Sequence, residues 1–179
     1  DYEPQNASGL KDWISRVNAL RRELAKTQWR AVNIHQVPVV INPDSTIGIT
    51  VLQGDQYTGV PGGPGPRSKY PKGPNVLGMA DHNDTLDNPL FPRSDTRNNR
   101  VHTAEDFPNL AMWFLVTDRV LKKPVDDRPT RFEVNSELSL PGTPDSLKKA
   151  HIDNWLDRIP LPISAFDLPP DPPLFSTGR

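Results

Sequence analysis

The sequence predicts an α+β domain: a mostly antiparallel sheet of about four strands, with one helix before it and one after it. Three observations carry that expectation. The chain opens on an apolar repeat of three and four residues, four later stretches suit strands, and a capped, proline-initiated segment follows the last of them.

The first helix is expected from about Leu10 to Lys26, with Ser8 as its N-cap. Leu10, Trp13, Ile14, Val17, Leu20 and Leu24 form one apolar stripe, and Asp12 and Arg16 sit one turn apart outside it. A strand is expected over Trp29–Ile41. Its apolar phase slips between Ile34 and Val37, so a bulge or edge position is expected near Pro38. Asn42-Pro43-Asp44-Ser45 has turn chemistry, and Ile47, Ile49 and Val51 alternate as the next strand.

No period persists from Gln53 to Pro108, and residues 54–108 read as a long Pro/Gly-rich loop, ordered by contact with the body or a neighbour. Ala111–Leu121 is apolar on both sides and suits a central strand. Asp118 lies late in it, where a buried carboxylate would need Arg119 or Arg131. Phe132, Val134, Leu138 and Leu140 alternate with polar residues in a half-buried strand. Thr143-Pro144-Asp145 then resembles a helix start, with Leu147, Ile152, Trp155, Leu156 and Ile159 as the apolar positions and Pro160 as the stop. Residues 1–160 read as one domain and 161–179 as an extended, proline-rich tail.

Composition narrows the function. The chain has 179 residues, no cysteine and a formal charge of −1, so disulfides, thiolate metal sites and thiol nucleophiles are excluded and no overall field attracts polyanions. Absence of cysteine fits a reducing, cytoplasmic setting, and no apolar run is long enough to span a bilayer. Prolines number 21, five of them between Pro61 and Pro74 and six between Pro160 and Pro173.

Three residue sets could carry a function. Tyr57 and Tyr70 in the loop, with Phe166 and Phe175 in the tail, are aromatics on proline-stiffened segments and suit anchors for a protein partner. Arg67, Lys69 and Lys72 surround Tyr70, and Arg93, Arg97 and Arg100 follow; such sets can pair phosphates while an aromatic stacks on a base. Asp81, His82 and Asp84, with His102, offer oxygen and nitrogen ligands to a divalent ion that could activate water, although Asx turns in a solvated loop are the plainer reading. The glycines of residues 59–66 are interrupted by three prolines and suit a rigid turn rather than a phosphate cradle. Asn83-Asp84-Thr85 matches the glycosylation sequon at the level of chance. No nucleophile elbow occurs. The expectation is therefore a cofactor-free, non-enzymatic accessory component of a larger assembly, binding another protein or copies of itself through the loop and tail. A nucleic-acid-binding module and a metal-dependent hydrolase are the alternatives.

Overall fold

The structure, a computed structural model, describes residues 7–86, 109–122 and 131–167. Among them are two helices, α1 (Ala7–Ala25) and α2 (Pro74–Leu86), and six strands: β1 (Arg30–Ile34), β2 (Val37–Ile41), β3 (Ile47–Gln53), β4 (Ala111–Lys122), β5 (Arg131–Pro141) and β6 (Trp155–Asp167). The strands form a single sheet in sequence order. Every pairing is antiparallel except β3 with β4, which run parallel because α2 and its flanking segments carry the chain back between them.

The expected sheet of about four mostly antiparallel strands is instead six-stranded and mixed, and the expected elements are corrected in three places. The strand anticipated over Trp29–Ile41 is a hairpin. His35 and Gln36 both take positive φ, 47° and 67°, and that pair of left-handed residues turns the chain in two positions. The apolar phase slip was the turn itself. Within the anticipated loop, Pro74 opens α2 as a helix-initiating proline, and Leu77, Met79 and Ala80 are buried beneath it. The C-terminal helix does not exist. Residues 142–154 are irregular, and Trp155–Asp167 extend as β6 along β5. Pro160 and Pro162 forbid a helix there but suit an edge strand. The tail expected from Leu161 thus begins as strand. Ser8 lies just inside α1 rather than ahead of it.

Register assigns each side chain to one of two faces. The inner face holds Val39 and Ile41 of β2, Leu52 of β3, and Met112, Phe114 and Val116 of β4, closed over by Leu77, Met79 and Ala80 of α2 with Leu110 and Ile152. Glycine at 48 is required here, since a Cβ would stand 2.7 Å from the Met112 sulfur. Asn83 of α2 fixes the crossing. Its amide donates to the carbonyls of Met112 (3.0 Å) and Pro141 (2.8 Å), and its oxygen accepts from the Met112 N–H (2.8 Å). The outer face carries α1, whose Val17 is buried and whose Trp13 indole donates to the Val51 carbonyl at 3.3 Å. α1 lies against β1, β2 and β3, half of the sheet.

Candidate functional site

Residues 54–73, the first part of the Pro/Gly segment, are fastened to the inner face rather than projected into solvent. The fastening centres on Glu137 of β5, which is fully buried. Its carboxylate accepts from Arg158 Nε (2.9 Å) and a terminal guanidinium nitrogen (2.8 Å), from Ser139 Oγ (2.5 Å) and from the Gly59 N–H (2.8 Å). Arg158 of β6 also donates to the Gly63 carbonyl at 3.2 Å. Burial pushes the Glu137 pKa up, but the hydrogen bonds from Arg158, Ser139 and Gly59 outweigh it and hold the carboxyl below its ordinary value. The same bonds raise Arg158. Gly59 sits at φ +72°, and a Cβ there would meet the Ser136 carbonyl at 3.0 Å, so only glycine lets this loop lie so close. Further along, the Trp155 indole donates to the Pro66 carbonyl at 2.7 Å, the Lys69 N–H to the Gln53 carbonyl at 2.8 Å, and Lys72 pairs with Ala150 as a bridge. No sequence pattern marks this carboxylate; Asp118, the acid expected to be buried, is half-exposed and has no ion pair among the described residues. Arg119 instead pairs with Asp12, and Arg131 with Glu133.

The candidate anchors fall on different surfaces. Tyr57 and Tyr70 stand 40% and 59% exposed on the outside of the fastened loop. Phe166, 60% exposed, pairs with Phe132 on the outer face. Phe175 lies outside the described residues. Of the basic set, Arg67 is paired with Asp153 (3.5 Å), Lys69 is exposed, and Lys72 is half-buried, its pKa lowered by desolvation. Arg93, Arg97 and Arg100 lie outside the described residues, as does His102. Asp81, His82 and Asp84 of the acidic set lie on α2. Asp84 accepts from the Thr143 N–H (2.6 Å) and hydroxyl, Asp81 and His82 are half-buried on α2, and no metal-ligating group of three occurs among the described residues. Asn83 is buried in the core, which removes it as a glycan acceptor.

What the structure brings together instead is an apolar sheet face. Outside the half covered by α1, the outer face of β5 presents Phe132, Val134, Leu138 and Leu140, all half-buried, with Ser136 among them. β4 adds Trp113, Leu115 and Leu121; β6 adds Ile159, Leu161 and Phe166. Leu121, Ile159 and Phe166 are 49%, 46% and 60% exposed, and Ile163, in the bulge of β6, is 64% exposed. Among the described residues no helix covers this half. Its border with α1 is polar: Asp12 pairs with Arg16 and Arg119, Arg16 reaches the Thr117 hydroxyl, and the Arg119 guanidinium lies 4.7 Å over the Phe132 ring. Three strands about 4.8 Å apart and about eleven residues long span roughly 500 Å² in projection, polar positions included, at the upper end of the apolar patches that monomers carry and that often serve a function. No helix among the described residues is long and apolar enough to cross a membrane.

Comparison with family models, with curated proteins and with solved structures gives no match.

Proposed function

We propose that the chain is a non-enzymatic interaction subunit that docks a protein partner through the outer face of β4, β5 and β6. One observation carries the reading: an apolar outer half-sheet with large side chains 46–60% exposed, opposite an inner face whose apolar residues on β2, β3 and the first half of β4 are packed under α2. A sheet must bury its apolar face against another layer, and among the described residues no such layer lies over this half of it. The fastened loop adds Tyr57 and Tyr70 to a separate surface, while Phe166 belongs to the docking face itself. The edge of β6 is a poorer docking site than the face, because Pro160 and Pro162 delete donors and the strand bulges between them and Ser164.

A photo-reactive residue placed at Ile159 or Phe166, with Lys148 as an exposed control, tests this in extract of the source cells. Discrete adducts from the two face positions and none from Lys148 are expected. Equal diffuse background from all three defeats the reading.

A further inference from the structure

We infer that the occupant of the open face is a second copy of this chain, packed sheet on sheet about a two-fold axis that runs across the strands. The inference rests on the docking reading above and names its partner. Two features select it. The first is area: about 500 Å² in projection grows once the relief of the side chains is counted, and approaches the ~800 Å² per partner of a standard interface. The second is charge. The outer face of β5 has no charged side chain; the outward charges of the neighbouring strands are Arg119 of β4, which pairs with Asp12 at the α1 border, and Asp157 of β6, and these stand at opposite ends.

Arg119 of β4 lies level with Val134, whereas Asp157 of β6 lies level with Leu140. Six residues along a strand separate them, about 20 Å. A two-fold axis across the strands at the level of Ser136 and Leu138 reverses one copy end for end. It brings each Arg119 to the end of the interface where the other copy's Asp157 stands. An axis along the strands would instead gather both arginines at one end and both aspartates at the other, a like-charge arrangement that costs free energy. The two sheets are then related as in an aligned sandwich, with Leu138, Leu140 and Ile159 filling the ~10 Å layer between them. An isologous contact of this kind closes on itself and leaves no second sticky surface.

The absence of native cysteine makes the geometry testable, since one introduced thiol is unique. Wild-type chain should sediment at twice 20.0 kDa at micromolar concentration. Ile159→Asp buries an unpaired carboxylate in the interface and should weaken association at least ~100-fold, with the circular dichroism spectrum unchanged because the side chain is 46% exposed in the single chain. Ser136→Cys, near the axis, should be joined to its copy by a short bismaleimide, and Phe166→Cys, far from it, should not. A wild-type monomer, or a dimer indifferent to Ile159→Asp, overturns the inference. Joining through Phe166→Cys but not Ser136→Cys overturns it too, because the axis is then wrong. A monomer whose Phe166 position still gives a discrete adduct of another mass refutes the second copy and leaves the docking reading intact.

Discussion

Replacing Arg158 by Met should cost this fold about 4 kcal/mol at pH 7, because it strands a carboxylate that has no access to water. Glu137 is 0% exposed, and two of the four hydrogen bonds it accepts come from Arg158, itself only 20% exposed. Breaking a buried pair from one side costs about 3–5 kcal/mol, and losing the bond to the Gly63 carbonyl adds about 1 kcal/mol. Methionine retains part of the packing of the arginine stem, which returns some of that loss. Urea unfolding of the two proteins measures the difference directly. Its pH dependence then tests the cause. In the wild type the folded pKa of Glu137 lies below its unfolded value, so the contribution is complete above the unfolded pKa and is lost as pH falls through the folded one. In Arg158→Met the main force opposing burial is gone, and desolvation raises the folded pKa above the unfolded one. The penalty is then full at pH 7 and relieved as acid protonates Glu137. The gap between the two proteins must therefore narrow on acidification. Adding Glu137→Leu should recover most of the loss at pH 7, since an apolar pair leaves no orphaned charge. A loss below about 1 kcal/mol, or a gap that widens toward pH 4, would refute this account of the latch.

Asn83→Ala should destabilise by about 3 kcal/mol in the same urea assay, since it leaves the N–H and carbonyl of Met112 and the carbonyl of Pro141 buried and unmet. Gly59→Ala should cost about 2 kcal/mol, from the left-handed φ and from a Cβ 3.0 Å from the Ser136 carbonyl, and should speed proteolysis of residues 54–73. Asp12→Asn removes only a partly solvated pair with Arg16 and Arg119, so a change beyond about 0.5 kcal/mol in thermal unfolding is not expected.

Much of the sheet was legible from side-chain period alone. Ile47–Val51, Ala111–Leu121 and Arg131–Leu140 alternate as their faces demand, and all three are strands within two residues of the expected bounds. The first helix was equally plain from its stripe. Misreadings arose where local signals were consistent with two answers. Leu147, Ile152, Trp155 and Ile159 fit a helical spacing by coincidence, whereas Ile152 and Trp155 are in fact packed against the core from an extended chain. α2 was hidden because it reads PNVLGMADHNDTL, rich in residues that favour turns, and its burial rather than its propensity keeps it helical. A proline followed by Val76, Leu77, Met79 and Ala80 was the signal available. Glu137 could not be found by pattern. Alternation with Phe132, Val134, Leu138 and Leu140 puts it on the polar, outward side of β5, yet the strand turns that side inward, and only the distant Arg158 and Gly59 make the placement tolerable.

The latch and the apolar outer face both follow from the polarity of β5 and β6. A strand on a sheet with a single covered face should send apolar residues inward and polar residues outward. β5 and the middle of β6 do the reverse: Glu137, Ser139 and Arg158 point to the inner side, while Leu138, Leu140, Ile159, Leu161 and Phe166 point to the outer one, with Trp155 inward and Asp157 outward as exceptions. Inward polarity is satisfied within the chain, because Glu137 and the Gly63 carbonyl receive Arg158. Outward apolarity has no such answer among the described residues. Slipping the strand by one residue would exchange the two sets, but it would also part Arg158 from Glu137 and Trp155 from Pro66. The ion pair therefore fixes the register that keeps the apolar row exposed. On that argument Glu137 and Arg158 are a positioning pair for the proposed docking face, and a variant that loses the pair while remaining folded should lose the proposed association along with stability.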